Sequence, residues 1–94
     1  MLKFTWRPSA RDDLAQIIAY ISRESATAAR YMKRVLEMAV LPAAEHPYLY
    51  RESDRIPGLR EIVAHPNYLI LYRITDTAID VVSVVHTRRE FPSP

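Results

Sequence analysis

Three basic side chains in the last third of the chain carry its most chemical promise: Arg60, Arg73 and His86. Arg73 interrupts an otherwise apolar run, Tyr68 to Ile74, while Arg60 opens the run before it and His86 closes the run after it, Ala78 to His86. If these runs are successive strands of a meander, the three side chains can lie on adjacent strands within reach of one another. Two guanidinium groups can brace a phosphate bidentately, and a histidine titrating near neutrality can move a proton. Together they are the minimum for cleaving RNA at a 2′-hydroxyl. The bland alternative is an arginine that snorkels from the end of a strand.

The elements that would position these residues follow from periodicity. Leu2 to Trp6 reads as a short strand stopped by Pro8, which then serves in the first turn of a helix. Ala10, Leu14, Ile17, Ile18 and Ile21 form one apolar stripe, with Asp12 and Asp13 expected in the first turn, where the helix dipole favours negative charge. Ser25 is suited to cap a second helix from about Ala26 to Glu45, ended by His46-Pro47. Two amphipathic helices joined by so few residues pack as an antiparallel hairpin.

Residues 47–59 are rich in charge and contain two prolines, so the expectation is an exposed connection without a strand. Three strands are then predicted, Arg60 to His65, Tyr68 to Ile74 and Ala78 to His86, separated by Pro66-Asn67 and Thr75-Asp76-Thr77. The chain has one glycine against seven prolines. Gly58 therefore marks a backbone geometry other residues avoid, a tight turn at Ile56-Pro57-Gly58 entering a strand. The order β-α-α-β-β-β, with helices segregated from an antiparallel meander, is an α+β domain spanning residues 1–94.

Composition bounds the function. At 94 residues the chain holds one domain, and 49% hydrophobic with 26% charged residues is the balance of a globular protein. The absence of cysteine removes disulfides and thiolate metal sites, and His46, His65 and His86 lack metal-ligand spacing, so neither metal nor cofactor is expected. No apolar run approaches the roughly 18–20 residues of a membrane span, and the N-terminus lacks a signal peptide's apolar region, which makes the cytoplasm the expected location. Thirteen basic residues against eleven acidic ones leave a net charge of +2, which permits a polyanionic partner without requiring one. His46 and His65 precede prolines in turns and are assigned no role. The six scattered tyrosines read as amphipathic packing, not a base-stacking platform.

Trp6-Arg7-Pro8-Ser9-Ala10, Asp13-Leu14 with Ile17 and Tyr20-Ile21, Ala28-Ala29, Pro47, Gly58-Leu59-Arg60-Glu61, Tyr68 to Arg73 and Val85-His86-Thr87-Arg88-Arg89 together resemble the RelE/ParE superfamily of bacterial type II toxins. The match runs the length of the chain in order. It implies a growth-arresting toxin neutralised by a cognate antitoxin with a disordered C-terminal tail, in a toxin–antitoxin hetero-oligomer without membrane contact. Members divide into RelE-like enzymes, which cut messenger RNA on the ribosome without a metal, and ParE-like toxins, which poison DNA gyrase. A RelE-like reading places catalysis on Arg60, Arg73 and His86. Phe91, however, stands where the tail of such enzymes would supply a hydroxyl, and Tyr48 to Arg55 holds no lysine. The ending His86 to Pro92 and the Ala28-Ala29 step look more like the ParE branch, in which Arg73, Arg88, Arg89 and Phe91 would face the target or the antitoxin.

Overall fold

The computed structural model describes residues 2–88. A first strand β1 (Lys3–Trp6) leads into helices α1 (Pro8–Ser22), α2 (Ala26–Met38) and α3 (Leu41–Glu45), followed by β2 (Arg60–His65), β3 (Tyr68–Ile74) and β4 (Ala78–His86). The four strands form one sheet in the order β1-β4-β3-β2. The meander β2-β3-β4 is antiparallel, as its two short connections dictate, and β1 joins β4 in parallel, Lys3 opposite Ala78 and Trp6 opposite Val81. The helices cover one face. Ala10 and Leu14 of α1, with Met32 and Leu36 of α2, pack against Ile62, Tyr68, Ile70, Tyr72, Ile79, Val81 and Val84 of the sheet.

Local chemistry explains the element boundaries. Pro8 begins α1, and the Ser25 hydroxyl accepts the Ala28 amide at 3.1 Å to start α2. The second helix is shorter than its periodicity suggests. Pro42 has no N–H to give the carbonyl of Met38, four residues earlier, and its ring clashes with that carbonyl, so α2 stops at Met38 and α3 starts afresh with the proline in its first turn. In the turn Ile56 to Leu59 the Leu59 amide donates to the Ile56 carbonyl at 3.3 Å, with Pro57 and Gly58 between them. Gly58 has φ +86°, the positive value a type II turn demands after proline, and no atom lies near where a Cβ would stand. Backbone conformation alone selects glycine there.

Two further departures from the sequence reading matter for the site. The segment 47–59 pairs with the sheet instead of merely connecting: Glu52 forms an antiparallel bridge with Arg60, and the Glu61 amide donates to the Arg51 carbonyl at 3.0 Å. Asp12 and Asp13 both lie beyond the first turn of α1, so neither serves its dipole. Between Leu71 and Tyr72 the β3–β4 register shifts, so Val82 is an extra residue that lets Ile79, Val81 and Val84 all face the core. The Asp13 carboxylate accepts the Val84 amide at 2.9 Å and the Ser83 hydroxyl at 2.8 Å, while the Ser9 hydroxyl donates to the Val82 carbonyl at 2.6 Å. The bulge would otherwise leave these groups to water, and α1 satisfies them.

Candidate functional site

Arg60, Arg73 and His86 do not converge. Residues directly opposite one another on paired strands share a face, and Arg60 is opposite Tyr72, whereas His86 is opposite Tyr68. Four residues of β3 separate those positions, about 13 Å at 3.3 Å per residue. Arg73 follows Tyr72 and therefore points to the other face of the sheet. The expectation of one shared surface fails because the register, unlike the strand limits, depends on pairings that the sequence pattern leaves open.

Each of the three has its own partners. On the outer face, Arg73 meets Asp80 at 3.3 Å, and Asp80 also accepts the Thr5 hydroxyl at 2.7 Å. The Thr5 hydrogen bond first, and Arg73 second, hold the Asp80 carboxyl below its usual value. On the helix-covered face, Arg60 donates to the Tyr50 carbonyl at 2.6 Å, approaches Glu52 at 3.4 Å and lies 5.1 Å from the centre of the Tyr48 ring. Beside it the fully buried Tyr72 donates its hydroxyl to the Pro47 carbonyl at 2.6 Å, and its ring meets Tyr50 edge-on at 6.2 Å. Burial pushes the Tyr72 phenol up to about 12, which keeps it a donor.

His86 belongs to an aromatic row at the opposite end of the sheet. Its ring stands edge-on to Tyr68 at 5.3 Å, with His65 5.9 Å from Tyr68 on the other side. The Arg88 amide donates to His86 Nδ1, and the Asn67 amide to His65 Nδ1, both at 3.1 Å. In each ring Nδ1 is therefore the accepting nitrogen. Arg88 is exposed just beyond it, and Arg89 and Phe91 lie outside the described residues. Among the described residues no cluster of three or more histidine or carboxylate side chains could hold a metal ion.

A second feature is an apolar surface beside the helices. A groove of about 870 Å³ runs between β1 and the helices, with Phe4, Trp6, Leu14, Ile18, Met38 and Leu41 lining it and Arg11, Lys33 and Glu37 among its polar residues. Phe4 and Met38 in its lining are exposed. Among the described residues no helix is long and apolar enough to cross a membrane.

A toxin named RelE2 from Caulobacter vibrioides is 36% identical over 86 residues, 92% of this chain and 93% of that toxin. The fold is that of a chain in the chromosomal ParDE system of P. aeruginosa, with a TM-score of 0.78 at 19% identity over 92% of this chain and 96% of that one. It is also that of a chain in the RelBE2 toxin–antitoxin complex of Mycobacterium tuberculosis, with a TM-score of 0.64 at 22% identity over 90% and 96%. Residues 4–91 match the family described as the ParE toxin of the type II toxin–antitoxin system, parDE, and the chain belongs to that family, within the RelE/ParE superfamily.

Proposed function

We infer that this toxin arrests growth by binding DNA gyrase rather than by cleaving RNA. The observation that carries this reading is the separation of Arg60, Arg73 and His86 over two faces and two ends of the sheet. General acid–base catalysis requires the proton carrier within hydrogen-bond reach of the reacting group. Here the guanidinium groups are bound to Tyr50 and Asp80, and His86 Nδ1 already accepts the Arg88 amide. A protein-directed poison needs no proton transfer on the toxin, so the arrangement suits it. The alternative, a RelE-like ribosome-dependent endoribonuclease using Arg60, Arg73 and His86, is favoured by the name of the C. vibrioides relative.

The partner that restrains the toxin is a cognate antitoxin, in keeping with the toxin–antitoxin assemblies in which the structural neighbours occur. Its disordered segment folds on contact, setting apolar anchors between Phe4, Trp6 and Met38, with an acidic portion against Arg88 and Arg89. Arg73 can join this contact with the guanidinium donors that its single bond to Asp80 leaves over. Expression of the toxin alone, then with its antitoxin, tests the reading in cells: arrest relieved by the antitoxin is expected, and unaltered colony counts on strong induction would overturn it. Arg88→Glu with Arg89→Glu should weaken the antitoxin complex at low salt, where rim charges are least screened.

A further inference from the structure

The loop from Pro47 to Ser53 combines fixed backbone with exposed apolar tips. Pro47 occupies the second position of a turn in which the Leu49 amide donates to the His46 carbonyl at 3.0 Å, a place suited to its fixed φ. Two sheet side chains then clamp the turn by its carbonyls, Tyr72 on Pro47 and Arg60 on Tyr50. Tyr48 and Leu49 nevertheless remain 71% and 69% exposed. Arg60 supports the Tyr48 ring from within the fold, so the aromatic is braced while most of its surface faces water.

We propose that Tyr48 and Leu49 form a preorganised anchor that enters an apolar pocket on the protein this toxin inhibits, with Arg60 as its positioning residue. The loop's charges identify the class of partner. Arg51 and Arg55 are offset by Glu52 and Asp54, and Arg51 is paired with Asp54, so the loop carries no net charge to attract a phosphate backbone. An aromatic anchor whose ordering is complete before contact avoids part of the entropy that binding costs, and tyrosine and arginine are the residue types that dominate protein interfaces. The antitoxin groove shares none of these residues, so the two surfaces are separable.

The proposal rests on the reading of the target as a protein, and the experiment keeps the two apart. Wild-type toxin is first assayed on gyrase and on programmed ribosomes, which decides the target alone. Tyr48→Ala with Leu49→Ala is then compared with wild type for growth arrest, for target inhibition and for antitoxin affinity by calorimetry. The expected result is at least a tenfold loss of inhibition and of arrest with antitoxin affinity unchanged. Arg60→Lys, which can still reach the Tyr50 carbonyl but cannot stack its charge as a plane on Tyr48, should fall between wild type and Arg60→Ala in inhibition. Full inhibition by the double variant would overturn the anchor, and so would a loss confined to antitoxin binding. Inhibition of gyrase by wild type with no response to the loop substitutions would leave the target reading standing and remove this proposal alone.

Discussion

Arg60 and His86 occupy one face of one sheet, and the two ends they mark are built in different ways. At the Arg60 end, side chains of the sheet reach outward to main-chain carbonyls, so the sheet holds a loop in place. At the His86 end the reach is inward: α1 extends Asp13 to Ser83 and Val84, just past the bulge in β4, and the rings of His65, Tyr68 and His86 meet beyond it. A residue type suited to catalysis is therefore no guide to its use until its hydrogen bonds are counted. Arg60 is bonded to a carbonyl and set against an aromatic ring, and His86 Nδ1 accepts the amide of a turn.

The largest effect that separates the ends is expected from Asp13→Ala. It leaves the Val84 amide without its charged acceptor, and such bonds contribute about 1.5–3 kcal/mol, so urea unfolding should show a loss of about 2 kcal/mol. Hydrogen exchange should rise from Ser83 to His86 and stay unchanged around Pro47 to Tyr50. Equal acceleration at both ends would mean they are not independent.

Tyr72→Phe is the converse, and smaller. Removing one neutral hydrogen bond costs about 1 kcal/mol, and exchange should accelerate in the loop while β4 is unaffected. The same hydroxyl sets an alkaline limit. Its folded-state pKa is raised above the ordinary value of 10.0, so its contribution is complete below pH 10 and is lost as the pH rises towards about 12. Wild type should lose stability across that window more steeply than Tyr72→Phe; parallel curves would disprove the assignment.

Asp80→Asn should do least, since Arg73 and Asp80 meet at a solvated surface. The folded-state pKa of Asp80 is lowered, so its contribution holds above the ordinary value of 3.8 and fades only as the pH falls through the lower folded value. Acid titration followed by circular dichroism should show a slightly flatter decline for the variant, with neutral-pH stability nearly unchanged.

Much of this architecture was legible in the residues. The limits of β2, β3 and β4 follow from alternation broken by Pro66-Asn67 and Thr75-Asp76-Thr77, the Ser25 cap from its position before a helical stripe, and the turn from Pro57-Gly58. Local signals reach that far because each is settled within a few residues. Pro42 was a local signal too, and it explains the early end of α2 that the apolar stripe obscured. Register, the parallel pairing of β1 with β4 and the bulge at Val82 are decided by contacts between distant segments, and with them the surroundings of Arg60, Arg73 and His86. The proposed Tyr48-Leu49 anchor had one available hint, the run of large residues Tyr48-Leu49-Tyr50 directly after Pro47.

The central claim is that His86 completes a fold and transfers no proton, and one comparison tests it directly. Wild type and His86→Gln, each purified, are incubated with gyrase and relaxed DNA and, separately, with programmed ribosomes. Both proteins are expected to inhibit supercoiling to within a few-fold of each other and to leave the messenger intact. General acid–base groups typically contribute 10²–10⁴-fold to a rate. Cleavage of the messenger by wild type, reduced by about that factor in His86→Gln, would contradict the account.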